Sequence, residues 1–235
     1  MSRILHTDTP HAAATLLDTL ARPREQVDPV AYRAAMSGLG EQFAEMHVGK
    51  LAGIQSLLLV CTNEDADFLA RGVLNGLSRL TAINVRVACF WNDRVVVTGD
   101  RSGDKVDIAP IVRRYVEPGE VEAFLVVKSI ISSACVVRTN ITELVYERNP
   151  RRVLIFAPVI LKGAETRVAA DFETGISDCF EFYWFAQDDE KDGENVLPGI
   201  GGQVYERLGI GNKAEKNAYI PSLIRERRTN FTRAA

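Results

Sequence analysis

Hydrophobic and polar positions along this chain fall into blocks whose period switches between helix and strand. Residues 11–48 have a helical period, with Leu16, Leu17 and Leu20 on one apolar face. Pro23 and Pro29 break that run, so a second helix is expected over residues 30–48. Gly49 to Gly53 reads as a turn. Residues 54–61 read as a strand, and their unbroken apolar run Leu57–Cys61 is the pattern of one buried on both faces. Thr62-Asn63-Glu64-Asp65 then has the form of a capping box, opening a helix that ends near Arg79.

Further strands are expected over residues 83–91, 123–127, 152–158 and 180–186, the last with alternating aromatics. Residues 94–108 read as a β-hairpin with a polar, glycine-containing turn, where a flap would sit. A helix is expected over residues 136–147. Residues 187–194 read as a polar loop, and residues 225–235 as a basic tail whose arginines 225, 227, 228 and 233 end a solvated helix. Strands alternating with helices of this length imply crossover units and a largely parallel sheet, with ligands at the carboxyl ends of its strands.

Composition narrows the function classes. The chain has 235 residues, 46% hydrophobic and 25% charged, with a formal net charge of −3. That is globular composition, and the balance gives no general attraction for nucleic acid or an anionic membrane. No apolar run approaches the roughly 20 residues of a transmembrane helix, and the first residues lack the apolar core of a signal peptide. The expectation is a cytoplasmic protein with a small-molecule ligand, without nucleic-acid or membrane partners.

The cysteines Cys61, Cys89, Cys135 and Cys179 are widely spaced, form no C-x-x-C pair, and suggest no metal site. Three fit an apolar core. Cys135 differs, because it falls in the loop after residue 127, where the N-terminus of the following helix can lower a thiol's pKa and make it a candidate nucleophile. All the histidines (His6, His11, His47) lie far away in sequence, so no base is evident for it. Ser132 and Ser133 in that loop read as an N-cap pair and as anion ligands, since a helix start with exposed N–H groups holds a phosphate. Trp91, Tyr183 and Trp184 are expected in the core.

The order of motifs resembles the uracil phosphoribosyltransferase family along essentially the whole chain. Thr15-Leu-Leu-Asp-Thr-Leu-Ala-Arg22 and Asp28-Pro-Val-Ala-Tyr-Arg33 are similar to that family's opening "lt.lR" and "FR" helices. Cys89-Phe-Trp-Asn-Asp-Arg94 falls where the family has "YRDE". Residues 125–136 fall on the loop that binds the phosphoribosyl group, and Asn195-Val-Leu-Pro-Gly-Ile-Gly-Gly202 is similar to "YIVPGLGD". The resemblance implies a phosphoribosyltransferase-like (Rossmann-like) α/β fold, a parallel sheet flanked by helices. It also implies a helical N-terminal arm (1–50), a core with flap (51–189), a C-terminal hood (190–235), and a homodimer.

The family joins a pyrimidine to the ribose of phosphoribosyl pyrophosphate (PRPP), using Mg²⁺ and arginine to neutralise the substrate and a carboxylate to hold the ribose hydroxyls. By resemblance the phosphate loop is Lys128, Ser129, Ser132, Ser133, Ala134 and Cys135. The base-binding segment is Val196, Leu197, Gly199, Ile200, Gly201 and Gly202. Asp93 and Arg94 are cleft candidates, as is Arg207, which with Glu206 would be the remnant of an acid–arginine pair.

This chain departs from the family where the chemistry is concentrated. Lys128 stands where the loop has a carboxylate, and Ser133-Ala-Cys-Val136 where it has Thr-Gly-Gly-Ser. Glu64 or Asp65 stands near the family's "ILRAGLG" arginine, and Gly202 where an acidic residue follows. The charge reversals are reciprocal. We expect Lys128 to pair with Glu64 or Asp65 across the strand ends, closing the PRPP site, a pairing that a separation beyond about 6 Å would exclude. Lys128, Glu64, Asp65 and Arg94 are the candidates for any chemistry.

Three functions remain open. The first is a divergent member without ordinary PRPP-dependent transfer that takes another nucleobase-like or anionic ligand. The second is an active uracil phosphoribosyltransferase using Mg²⁺, and the third is a non-catalytic regulatory subunit.

Overall fold

The computed structural model describes residues 2–98, 105–193 and 195–234. Apolar runs become the main sheet: β1 (Ser56–Thr62), β2 (Asn84–Asn92), β3 (Ile111–Val116), β4 (Ala123–Val127), β5 (Arg152–Phe156) and β6 (Phe180–Tyr183). Their order is β6-β5-β4-β1-β2-β3. All neighbours are parallel except β3, which runs antiparallel to β2 at the edge. From β1 the chain winds one way through β2 and the other way from β4. The crevice outside the carboxyl ends of β1 and β4 is therefore the topological switch point, where open α/β sheets bind ligands.

The period of two divides β1 between two cores. Leu57, Leu59 and Cys61 pack with α1 (His11–Ala21), α2 (Pro29–His47) and α3 (Arg71–Leu80). Leu58 and Val60 pack with α4 (Cys135–Arg148). Helix α2 starts at Asp28, whose side chain accepts from the Ala31 N–H at 2.8 Å, with Pro29 in the first turn. It lies directly on α3. A Cβ at Gly40 would strike the Leu69 carbonyl oxygen and one at Gly72 the Ser37 carbonyl oxygen, so glycine permits this approach.

Several expectations change. Strand β3 was not legible because Arg113 and Arg114 interrupt its apolar pattern; as an edge strand it exposes them, with Arg113 over the Trp91 ring at 5.5 Å. The segment read as a polar loop, 187–194, is largely strand. Ala186–Asp188 joins a second sheet with Arg3–Leu5, Val159–Leu161 and Ile130–Ile131, and Glu190–Asp192 pairs with Asn195–Leu197. Burial of Asp188 against Arg3, at 2.8 Å, overrides its polarity. The hairpin forms from Val95–Thr98 and Lys105–Ile108, and its turn, 99–104, lies outside the described residues.

The basic tail belongs to helix α5 (Ser222–Ala234), which docks rather than projecting. Asp67 accepts from the Ser222 and Leu223 N–H groups, each at 2.8 Å, and from the Tyr219 hydroxyl. Arg227 reaches Glu117 at 3.5 Å. Trp91 is fully buried as expected, whereas Tyr183 and Trp184 are half-buried. No described helix is long and apolar enough to cross a membrane.

Candidate functional site

Lys128 follows the last residue of β4 and stays in the sheet, its backbone N–H donating to Phe156 O at 3.0 Å. Its side chain reaches the end of β1. Nζ lies 2.8 Å from Asp65 Oδ2, 3.4 Å from Glu64 Oε1 and 3.1 Å from Ser129 Oγ. The lysine is 8% exposed, Glu64 8% and Asp65 2%, so this is an interior ion cluster and not a solvated charge. The pairing expected from the reversed charges is formed, with both carboxylates.

The cluster also explains a helix start that sequence misread. The Thr62 hydroxyl donates to Asp65 Oδ2 at 2.7 Å instead of capping the backbone, so no capping box forms. A π-turn, Ala66–Ala70, follows before α3. Burial alone would lower the Lys128 pKa, but Asp65 and Glu64 outweigh it and raise the lysine above its ordinary range. For Glu64, burial acts upward and is outweighed by Lys128 and then Lys216, leaving its carboxyl below the ordinary range.

Beside this cluster is a cavity of about 300 Å³. Of the expected site residues, Glu64, Arg94, Lys128, Ser132, Ser133, Val196, Ile200 and Gly202 line it. Two segments more than sixty positions apart in sequence thus meet across one space. Ser129 is fully buried behind it, holding Lys128. Ala134 and Cys135 lie on the far side of the loop, on a shallower depression with Arg138 and Arg167.

The hydroxyl loop differs from its expected form. Ile130–Ile131 leaves it to pair with Val159 and Ile160. The helix cap is Ala134, without a side-chain cap bond. Ser133 Oγ instead meets Cys135 Sγ at 3.2 Å, and Ser132 O accepts from Arg167 at 3.2 Å. Cys135 is 4% exposed, which leaves its thiol packed in the interior rather than presented as a nucleophile.

In the glycine-rich segment, Gly199 (φ 57°) and Gly201 (φ 73°) take left-handed conformations. Side chains there would strike the carbonyl oxygens of Val196 and Leu20 respectively. Leu197–Pro198 is a cis peptide. Asp188 Oδ2 accepts the Gly199 N–H at 2.7 Å while Arg3 donates to Gly199 O at 2.5 Å. Leu197, Gly199 and Gly201 therefore shape the segment without lining the cavity.

Asp93 is held by Lys213 at 2.8 Å, and Arg94 by Asp107 at 2.6 Å. The Glu206–Arg207 pair is absent. Glu206 is exposed, while Arg207 is buried over the Tyr32 ring at 4.9 Å, its guanidinium nitrogens without a hydrogen-bond partner among the described residues. Adjacent residues on the short helix Val204–Arg207 face different ways, which separates them.

Sequence reading missed Lys216, Lys213, Asn92 and Tyr205, which also line the cavity. Lys216 sits on Lys213–Ala218, a helix begun by an Asn212–Glu215 capping box. Its Nζ donates to Asn92 O at 2.5 Å, and its carbonyl accepts from Asn63 Nδ2 at 2.6 Å. The ends of β1 and β2 thus hold this lysine from both sides. The Asn-x-x-Glu box at 212–215 was the available sequence signal for the helix.

The residues at the strand ends do not fit a Mg²⁺ ion. Both carboxylates there are engaged by the Lys128 ammonium, whose charge would oppose a second cation. Among the described residues there is no group of three or more His, Cys, Asp or Glu side chains placed to hold a metal.

No family model matches the chain. No curated protein matches it either. Solved structures do show a likeness. Protein TT1426 of Thermus thermophilus superposes with a TM-score of 0.44 at 12% identity, covering 78% of this chain and 94% of that one. An adenine phosphoribosyltransferase of Trypanosoma brucei, in complex with AMP, pyrophosphate and ribose-5-phosphate, gives 0.42 at 13% identity, covering 66% and 64%. A purine phosphoribosyltransferase of Pyrococcus horikoshii gives 0.31 at 13% identity, covering 60% and 78%. The likeness lies in the fold alone. The chain is a mixed α/β protein with a mostly parallel central sheet flanked by helices.

Proposed function

We propose that this chain is a divergent phosphoribosyltransferase-like protein that has lost ordinary PRPP-dependent transfer. In the cleft at the ends of β1 and β4 it binds or converts a small, neutral, nucleobase-like ligand. The observation that carries this reading is the Lys128–Asp65–Glu64 cluster, at 2.8 and 3.4 Å. The cation at the switch point is already neutralised from within the protein. At the strand ends a highly anionic pyrophosphate would meet the buried Glu64 carboxylate instead of a free cation, since Lys128 is already engaged by Asp65 and Glu64.

The rest of the wall supports a neutral ligand. Arg94, Lys213 and Lys128 each carry a carboxylate partner outside the lining, which leaves Glu64 and Lys216 as charges of opposite sign facing the cavity. Its remaining surface combines Ile130, Val136, Val196, Ile200 and Val204 with the Ser132 and Ser133 hydroxyls, suiting a flat, part-polar ring. A cytoplasmic homodimer remains the expectation from the family resemblance.

The test is pyrophosphate release by the purified protein with PRPP, uracil and Mg²⁺. The reading predicts none above background, and turnover at an ordinary enzymatic rate, roughly 1 s⁻¹ or faster, would overturn it.

A further inference from the structure

Two groups bordering the cavity have hydrogen-bonding capacity left over, of opposite kinds. Glu64 Oε2 meets no hydrogen-bond partner within bonding distance among the described residues, Oε1 has the long 3.4 Å contact with Lys128, and the carboxylate is otherwise influenced by its own backbone N–H and the Thr62 hydroxyl. A carboxylate accepts about four hydrogen bonds, so part of this capacity, at Oε2, is unused. Lys216 Nζ spends one of its three protons on Asn92 O, at 2.5 Å. Both residues line the cavity, and both are over nine-tenths buried.

We propose that Glu64 and Lys216 form an acceptor–donor pair that reads the adjacent N–H and C=O of a neutral cyclic imide or lactam. The ligand's polar edge then faces the carboxyl ends of β1 and β2. This rests on the neutral-ligand reading above and adds which groups select the ligand and how it is oriented. The orientation is opposite to the one implied by the family resemblance, in which the 195–202 segment reads the base and the strand ends face phosphate.

Charge decides between ligand classes. A phosphate placed against Glu64 would face a buried carboxylate, and an amine would face the Lys128 and Lys216 ammonium groups. A neutral edge carrying one donor and one acceptor satisfies both walls and adds no charge. Lys216 is pinned through its side chain and its backbone carbonyl, so little ordering is left to occur on binding. Burial, with Lys128 nearby, lowers the Lys216 pKa, while Glu64 and Asp93 act upward and Lys213 downward. The amine donates a hydrogen bond whether charged or neutral.

Paired methyl derivatives test this on the unmodified protein by calorimetric titration. 1-Methyluracil keeps the imide N3–H between its two carbonyls, whereas 1,3-dimethyluracil keeps the carbonyls and has no N–H on either edge. We expect 1-methyluracil to bind saturably and 1,3-dimethyluracil at least about tenfold more weakly, since sites built around a ligand donor reject analogues lacking it. Lys216→Met, checked for folding by circular dichroism, is expected to weaken 1-methyluracil by a similar factor. Equal binding of the two derivatives, or unchanged affinity in folded Lys216→Met, would overturn this inference while leaving the ligand reading intact. Failure of both derivatives and of uracil to bind would overturn the two together.

Discussion

At the level of single residues, Lys128 decides the character of the site. Its sequence signal was a cation replacing an anion, and a second replacement of opposite sign pointed to its partners. What sequence left open was which carboxylate, and the structure engages both because Glu64 and Asp65 lie on one short helical turn. Removing one partner of a buried ion cluster leaves uncompensated charge, so Lys128→Ala should destabilise the protein by about 3–5 kcal/mol in urea unfolding. A loss below about 1 kcal/mol would show that the cluster is solvated.

His47 makes a second residue-level prediction. Burial, with Lys50 and His6, lowers its pKa from 6.5 to about 4, and Asp8 acts weakly upward. Phe43 and Tyr183 pack on its ring at 4.9 and 4.6 Å. The unfolded state therefore takes up a proton before the folded state does, and this contribution to stability falls as pH drops from 6.5 toward 4. The urea midpoint should decline across that window, and His47→Phe should flatten the decline. A wild-type and a variant profile of equal slope would exclude His47 as the cause.

Among elements, runs with a pure period were legible and those with mixed character were not. Helices α1, α2 and α4 and strands β1, β2, β4, β5 and β6 lie close to their expected spans, because their apolar faces answer one core each. Strand β3, the strands around Asp188, and the π-turn after Asp65 escaped because their polar residues meet partners distant in sequence: Glu143 for Arg114, Arg3 for Asp188, and the Ser222 and Leu223 N–H groups for Asp67. Local pattern carries no record of such partners. The capping role expected of Thr62 failed for a related reason, since a nearby side chain outcompeted the backbone.

Asp67 links two elements across the molecule, holding the first N–H groups of α5 from the π-turn. Asp67→Ala removes a charged helix cap and leaves the Tyr219 hydroxyl unpaired, which should cost about 1–3 kcal/mol. Hydrogen exchange should then rise selectively in α5 and the preceding helix, with the central sheet unchanged. Uniform loss of protection would instead show that the hood and sheet unfold as one unit.

For the whole molecule, strand order places the switch point between β1 and β4, and the chain brings the loop after β4 and C-terminal residues between 195 and 216 to it. The resemblance of residues 195–202 to a base-binding segment was readable in sequence. That this segment closes over the same cavity as Lys128 required the fold. So did Lys216, whose role depends on β1 and β2 ending beside it.

Calorimetric titration of the purified protein with uracil, and separately with PRPP and Mg²⁺, tests most directly whether this cleft has exchanged an anionic ligand for a neutral one. The account predicts saturable binding of uracil without PRPP and no saturable heat from PRPP. Saturable PRPP binding, with uracil binding only after it, would contradict the account.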